Sequence, residues 1–229
     1  MKRPLQIAVD GPAGSGKGTA ASMLGKVLKL PVLDTGLLYR FVAWRAMESR
    51  VDLNNTDAFL SFVSLALKTM SWRTEGVFFD GKDCTSLLRG EDVGAVASKV
   101  ASMPAVREAL LQMQQTLAIQ GCVMDGRDIG TVVLPEAQVK FFLTASLRER
   151  GRRRWLQLTP LAQRKQSLEQ MIKEVALRDQ RDSERTLAPL KQAEDAIVID
   201  STTLRQDEVV DRMLRVLKRR DLIELDEYR

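Results

Sequence analysis

Histidine is absent from the 229 residues, which excludes histidine-based catalytic triads and the paired-histidine zinc sites of metalloproteases. It also weakens any mechanism that needs a side-chain base poised near neutrality. Cysteine is almost as scarce. Cys84 and Cys122 lie far apart and lack metal-ligand spacing, so they read as reduced small residues rather than a staple or a zinc site. No apolar run approaches the length needed to cross a bilayer, and residues 1–4 pass into a strand pattern without a processing site. A cytoplasmic protein without a membrane partner is therefore expected. Internal repeats and low-complexity linkers are missing too. The composition, 45% hydrophobic and 28% charged, suffices for one globular domain with an insertion. The formal net charge of +5 suits either a nucleic-acid backbone or several phosphorylated ligands, and the placement of the arginines must decide.

Residues 5–19 read LQIAVDGPAGSGKGT. Ile7, Ala8 and Val9 suit a strand buried on both faces. The chain then breaks into Gly11, Pro12, Ala13, Gly14, Ser15 and Gly16, where the glycines let backbone amides converge on an anion. Lys17 adds a positive charge for the β and γ phosphates, and a helix begins there with its positive end facing the loop. The usual P-loop places a hydroxyl directly after the lysine, whereas here Gly18 intervenes and the hydroxyl arrives at Thr19. This form resembles nucleoside monophosphate kinases more than GTPases or motor ATPases. Residues 11–19 are then the ATP site, with Thr19 on phosphate or Mg²⁺ directly or through water. A dinucleotide-binding loop is the bland alternative, and the GKGT ending argues against it.

Further along, Ala20, Met23, Leu24, Val27 and Leu28 give the first helix its packed stripe. A short strand over residues 31–34 leads into DTGLLYR, with Thr35 and Arg40 at the start of a helix. A helix over 54–68 takes Thr56 as N-cap and Phe59, Phe62, Val63 and Ala66 as its apolar face. Residues 70–73 and 77–80 flank Thr74-Glu75-Gly76 as a hairpin, which inside an α/β chain looks like an insertion. Pro104 opens a helix with Val106, Leu110, Met113 and Leu117 on one face and Arg107 off it. Residues 121–131 form a strand that bursts into the charged turn Asp125-Gly126-Arg127-Asp128, where α/β folds bind ligands. After another strand over 139–145, Ser146 and Glu149 have capping-box spacing. The basic helix that follows carries Arg150, Arg152, Arg153 and Arg154 and ends in a loop near Thr159-Pro160, which fits a short lid. A helix over 167–184 sets Arg178, Asp182 and Arg185 on one face. The last strand, 196–200, is followed by Ser201, Thr202 and Thr203 as candidate caps for a helix over 206–218, whose stripe is Val209, Val210, Met213, Leu214 and Leu217. The tail from 219 to 229 carries no motif.

DTGLLYR and DGRDIGTVV, taken with the GKGT loop, resemble the bacterial cytidylate kinase family, with matches from the P-loop nearly to the C-terminus. The resemblance implies a five-stranded, mainly parallel sheet of the P-loop NTPase type with helices on both faces, as one domain over 1–229. Within it stand a monophosphate-binding insert at about 55–100 and a lid at about 150–167. The implied reaction is ATP plus CMP or dCMP to ADP plus CDP or dCDP, in pyrimidine nucleotide metabolism. The resemblance places Thr35, Arg40, Ser98, Arg107, Arg127, Asp128, Arg178, Asp182 and Arg185 on CMP. Arg127 and Arg185 hold its phosphate, Asp128 reads cytosine, and Arg178 and Asp182 address the sugar. Asp125, with Thr19, would order Mg²⁺, and Arg150, Arg153 and Arg154 are the lid candidates, from which arginines of the family reach the nucleotide phosphates. Lys17, Arg127, Asp125 and Arg185 are the catalytic candidates.

The chemistry of the base agrees with that assignment. Cytosine's N4 amine donates while its N3 and O2 accept, so a reader needs a carboxylate such as Asp128 beside donors such as Arg107 and Ser98. A monophosphate acceptor, with a second pKa of about 6, is already anionic at neutral pH and needs no general base. A UMP or AMP kinase is the near competitor, and a hydroxyl-phosphorylating kinase a more distant one. A nucleic-acid ATPase or a non-catalytic nucleotide-binding module are the readings from other classes. A monomer that acts on free nucleotides, with no nucleic-acid partner, is expected.

Overall fold

The computed structural model describes residues 3–73, 76–158 and 160–224. Thr74 and Glu75 of the expected turn, Thr159 of the expected lid loop and the last five residues of the tail lie outside them. The elements run β1 (Gln6–Asp10), α1 (Lys17–Leu28), β2 (Val32–Asp34), α2 (Thr35–Glu48), α3 (Thr56–Lys68), β3 (Met70–Arg73), β4 (Gly76–Phe79), β5 (Lys82–Asp83), α4 (Glu91–Val100) and α5 (Pro104–Leu117). Then follow β6 (Cys122–Gly126), β7 (Val139–Thr144), α6 (Leu147–Leu156), α7 (Pro160–Lys165), α8 (Leu168–Ser183), β8 (Ile197–Asp200) and α9 (Gln206–Arg219).

Two compact units make up the chain. The first, Met1–Leu33 with Ala118–Arg229, contains most of a five-stranded sheet of order β2-β6-β1-β7-β8. β1 pairs in parallel with both β6 and β7, and β7 in parallel with β8. All of β1 and β6 is buried, as expected of strands covered on both faces. On one face Ile7, Val9, Val123, Phe141 and Leu143 pack with Ala20 and Leu24 of α1 and Val209, Met213 and Leu217 of α9. Apolar side chains three and four apart on the two helices make that contact possible. β1 sits between β6 and β7, so its C-terminal end is a topological switch point, the place where open α/β sheets bind ligands.

The second unit, Asp34–Leu117, is wider than the expected 55–100 insert because α2 and α5 belong to its cores. Leu38, Val42, Phe59, Val63, Val100, Val106 and Leu110 form one of them. The expected hairpin is a three-stranded antiparallel sheet in order β3-β4-β5, and Gly76 lies in its second strand rather than in the turn.

Several local expectations are corrected. Asn55, not Thr56, caps α3, accepting the Ala58 amide at 3.2 Å. Ser201, Thr202 and Thr203 do not cap α9. Glu208 instead reaches back to the Arg205 amide at 2.8 Å, while Thr202 turns onto Asp200 and Ser201 onto Thr144. Ser146 caps α6 through the Glu149 amide, but the Glu149 carboxylate binds Arg152 and Arg153 rather than closing the box. Pro160 opens the short α7, where its fixed φ is accommodated, instead of standing in a loop.

Candidate active site

The loop after β1 is built as its glycines require. A Cβ on Gly11 would stand 2.0 Å from the Leu143 carbonyl oxygen, and Gly16 has φ +87 with Gln206 directly against it. A side chain at 11 would force the loop off the β7 backbone, and one at 16 would be strained by the positive φ. Lys17 is buried at the mouth of the loop, its Nζ donating to the Pro12 carbonyl at 3.2 Å. Ala13 donates its amide to Asp179 at 3.2 Å, and Arg150 donates to the Ala13 carbonyl at 3.1 Å. Ser15 is fully buried, and Ser201 donates its hydroxyl to the Ser15 carbonyl at 2.9 Å.

β6 ends in register with β1, Val9 opposite Asp125 and Asp10 opposite Gly126, so the charged turn leaves the sheet beside the phosphate loop. Asp125 is buried, and a Cβ on Gly18 would lie 3.3 Å from its Oδ2. The carboxylate thus stands against the first turn of α1, in which Thr19 is exposed. Oxygen donors of this kind fit Mg²⁺, which keeps most of its shell for water and phosphate.

The turn is held from below by Asp10, a residue that the sequence reading passed over. Its carboxylate accepts the Ile129 amide at 2.8 Å and the Gly130 amide at 2.7 Å, and burial pushes its pKa up to about 6 despite those bonds. Asp128 is likewise buried, and its carbonyl takes the Val132 and Val133 amides that start a single π-helical turn over Ile129–Val133.

Arg127 donates through Nε to Asp182 at 2.9 Å and through Nη1 to the Gly126 carbonyl at 3.0 Å. Arg185 meets the other oxygen of Asp182. Arg185 lies beyond the end of α8 rather than on its face, and the ion pair supplies the link that helical spacing was expected to give. Burial acts to raise the pKa of Asp182, but Arg127, Arg185 and Arg178 together hold it below the usual carboxylate range. Burial also works against the charge on Arg127, and Asp182, Asp125 and Asp179 more than offset it. Three guanidiniums converge on one buried carboxylate, a concentration of N–H donors that suits a phosphate.

Of the three lid arginines, Arg150 faces Asp179, Ala13 and the Ala145 carbonyl; Arg153 faces Glu149 and Ser201; and Arg154 donates to Gln157 at 3.2 Å. In the second unit Thr35 is buried in the first turn of α2. Arg40 donates to the Leu88 and Gly90 carbonyls at 2.8 and 3.0 Å, and its guanidinium lies so close to Gly94 that a Cβ there would meet Nη2 at 2.8 Å. Arg107, off the apolar stripe as read, is nevertheless buried: its guanidinium lies 5.4 Å from the Tyr39 ring centre and donates to Ala101. The buried Ser98 hydroxyl has no hydrogen-bond partner among the described residues.

Both cysteines are buried and unpaired, and burial pushes the Cys122 thiol up to about 12, so neither is a nucleophile. No helix among the described residues is long and apolar enough to cross a membrane.

A solved structure of a protein from Eubacterium ventriosum shares the fold, with a TM-score of 0.51 at 13% identity over 95% of this chain and 99% of that one. Cytidylate kinase of Azotobacter vinelandii is 46% identical over 226 residues, 96% of this chain and 98% of the relative. That of Pseudomonas syringae pv. tomato is 45% identical over 228 residues, 97% and 98% of the two chains. The family model described as cytidylate kinase matches residues 7–219, from β1 to the last residue of α9, so the chain belongs to the cytidylate kinase family.

Proposed function

We infer that this chain transfers the γ-phosphoryl group of ATP to CMP or dCMP, giving ADP and CDP or dCDP, a reaction of pyrimidine nucleotide metabolism. The observation that carries the reading is the buried Asp182 ringed by Arg127, Arg178 and Arg185, beside a phosphate loop at the same end of the sheet. One loop and one cationic cluster meet the needs of a donor and an acceptor phosphate.

The donor's phosphates lie against residues 11–19, with Lys17 on the β and γ groups. Arg154, which donates to Gln157 just past the end of α6, is the lid arginine assigned to the nucleotide. Arg127 and Arg185 grip the acceptor phosphate, Arg178 and Asp182 the sugar, and Asp128 the N4 amine of cytosine. From the second unit, Thr35 and Arg40 contribute to the phosphate, and Ser98 and Arg107 to the base. Asp125 and Thr19 would hold Mg²⁺ directly or through water, and that ion supplies charge neutralisation on the phosphates. Catalysis then consists of holding two reactants in line and stabilising charge on the transferring oxygens. The acceptor is already an anion, so no side chain removes a proton and no covalent intermediate forms. The enzyme works as a cytoplasmic monomer on free nucleotides, with neither nucleic acid nor membrane as partner.

The test is ADP production with MgATP and, in turn, CMP, dCMP, UMP, AMP and a short single-stranded oligonucleotide, with Asp128→Ala alongside. CMP and dCMP are expected to lead, and the variant to lose roughly 5- to 150-fold of the preference for CMP over UMP, the worth of one unpaired buried polar group. Stimulation by the oligonucleotide with none by CMP would replace this reading with a nucleic-acid ATPase.

A further inference from the structure

Both backbone groups of Ala13 are held from outside the phosphate loop. The Asp179 carboxylate accepts its N–H at 3.2 Å, Arg150 donates to its C=O at 3.1 Å, and the two side chains form an ion pair with each other. Arg150 is itself fixed by a bond from Nε to the Ala145 carbonyl at 2.9 Å, and it is buried. The next residue has no room for a side chain: a Cβ on Gly14 would lie 2.7 Å from the Arg150 carbonyl oxygen and 3.0 Å from the Arg150 Cβ. The loop is thus seated on α6 and clipped to α8. None of this follows from general P-loop chemistry, which needs only convergent amides, a lysine and a helix end.

We propose that Asp179 and Arg150 are positioning residues which lock the backbone on both sides of the Ala13 Cα, so that the amides beyond it are aimed before ATP arrives. Arg150 thereby serves the wall of the loop rather than the nucleotide, and the Ala13 amide bonds to Asp179 instead of to phosphate. The physical need is clear. A glycine-rich loop has many conformations, and any freedom left in it must be removed on binding, at the expense of affinity. A residue whose N–H and C=O are both fixed by a largely buried ion pair has lost that freedom during folding. Asp179 and Arg150 also act as one unit, since each orients the other, so removing either loosens the same stretch of backbone.

The assignment rests on ATP lying in this loop, and the experiment separates the two claims. Steady-state constants for ATP and CMP are measured for wild type, Asp179→Asn, Asp179→Ala, Arg150→Lys and the Asn/Lys double variant, with unfolding midpoints recorded in parallel. Asparagine keeps the size of the side chain but gives up the ion pair that orients Arg150, so it carries the test if the alanine variant does not fold. Each folded variant is expected to raise KM for ATP about tenfold while KM for CMP stays within about twofold, and the double variant is expected to fall within about twofold of the worse single one. Equal rises for ATP and CMP, an unchanged KM for ATP with only a lower midpoint, or fully additive effects would overturn the proposal. Wild type that turns over no ATP would instead defeat the functional reading.

Discussion

Replacing Asp182 with alanine removes the one carboxylate at the centre of the acceptor cluster. Asp182 is 2% exposed, and its partners Arg127 and Arg185 are 17% and 9% exposed in their side chains, so their charges cannot turn to water without moving the turn after β6 or the end of α8. Two charge-assisted hydrogen bonds disappear, each worth about 1.5–3 kcal/mol, and two or three guanidiniums are left facing one another. Breaking a buried pair from one side costs about 3–5 kcal/mol, the same range reached by another route. For a chain of this size that corresponds to a fall in Tm of roughly 6–20 °C. Urea and thermal unfolding followed by tryptophan fluorescence measure it. The pH dependence adds a second signature. Asp182 titrates below its unfolded value of 3.8, so its stabilisation is complete above that pH and is lost as pH falls through the lower folded value. The gap between wild type and variant should therefore be constant from pH 8 to 5 and close below about 4. A loss under about 1 kcal/mol at pH 7 would refute the reasoning, because that is the worth of an exposed pair.

Asp10 behaves in the opposite sense. Its folded pKa of about 6 lies above the unfolded 3.8, so the ionised form burdens the fold at neutral pH and protonation relieves it. Wild type should gain about 2 kcal/mol relative to Asp10→Asn between pH 7.5 and pH 4.5 in urea unfolding, and parallel behaviour would contradict the burial of that charge. Gly11→Ala should cost about 1–3 kcal/mol or more in the same assay, because a backbone carbonyl 2.0 Å from the new Cβ cannot move aside as a side chain would. Neither Cys84 nor Cys122 should react with a thiol reagent at pH 8 in the native protein, whereas both should react in denaturant; rapid labelling of the folded chain would show that these thiols are not buried as described.

The phosphate loop was legible because its signal is local: glycines at 11, 14 and 16, then lysine, between an apolar strand and a helix. The charged turn after β6 was legible for the same reason. Asp10 and Asp179 were not, since each acts on backbone far away in sequence, 119 residues on for Ile129 and 166 back for Ala13, and nothing in the flanking residues marks them. Asp179 is further hidden among Arg178, Arg181 and Asp182, where one more charge reads as a solvated helix face. Arg107 shows the limit of helical periodicity. It stands off the apolar stripe of α5, yet packing against Tyr39 of α2 buries it, a tertiary contact that spacing within one helix does not encode. Caps failed where competing partners existed. Thr202 prefers the Asp200 carboxylate two residues back, which leaves Glu208 to cap α9 from inside the helix.

The central claim is direct transfer from ATP to a cytidine monophosphate. Incubating the enzyme with Mg²⁺, ATP labelled at the γ-phosphorus and CMP tests it in one experiment, with the products separated by chromatography and the protein counted after denaturation. The label should appear in the β-phosphate of CDP, with none on the protein and little as free phosphate. Label recovered only as inorganic phosphate, or retained covalently on the chain, would contradict the account.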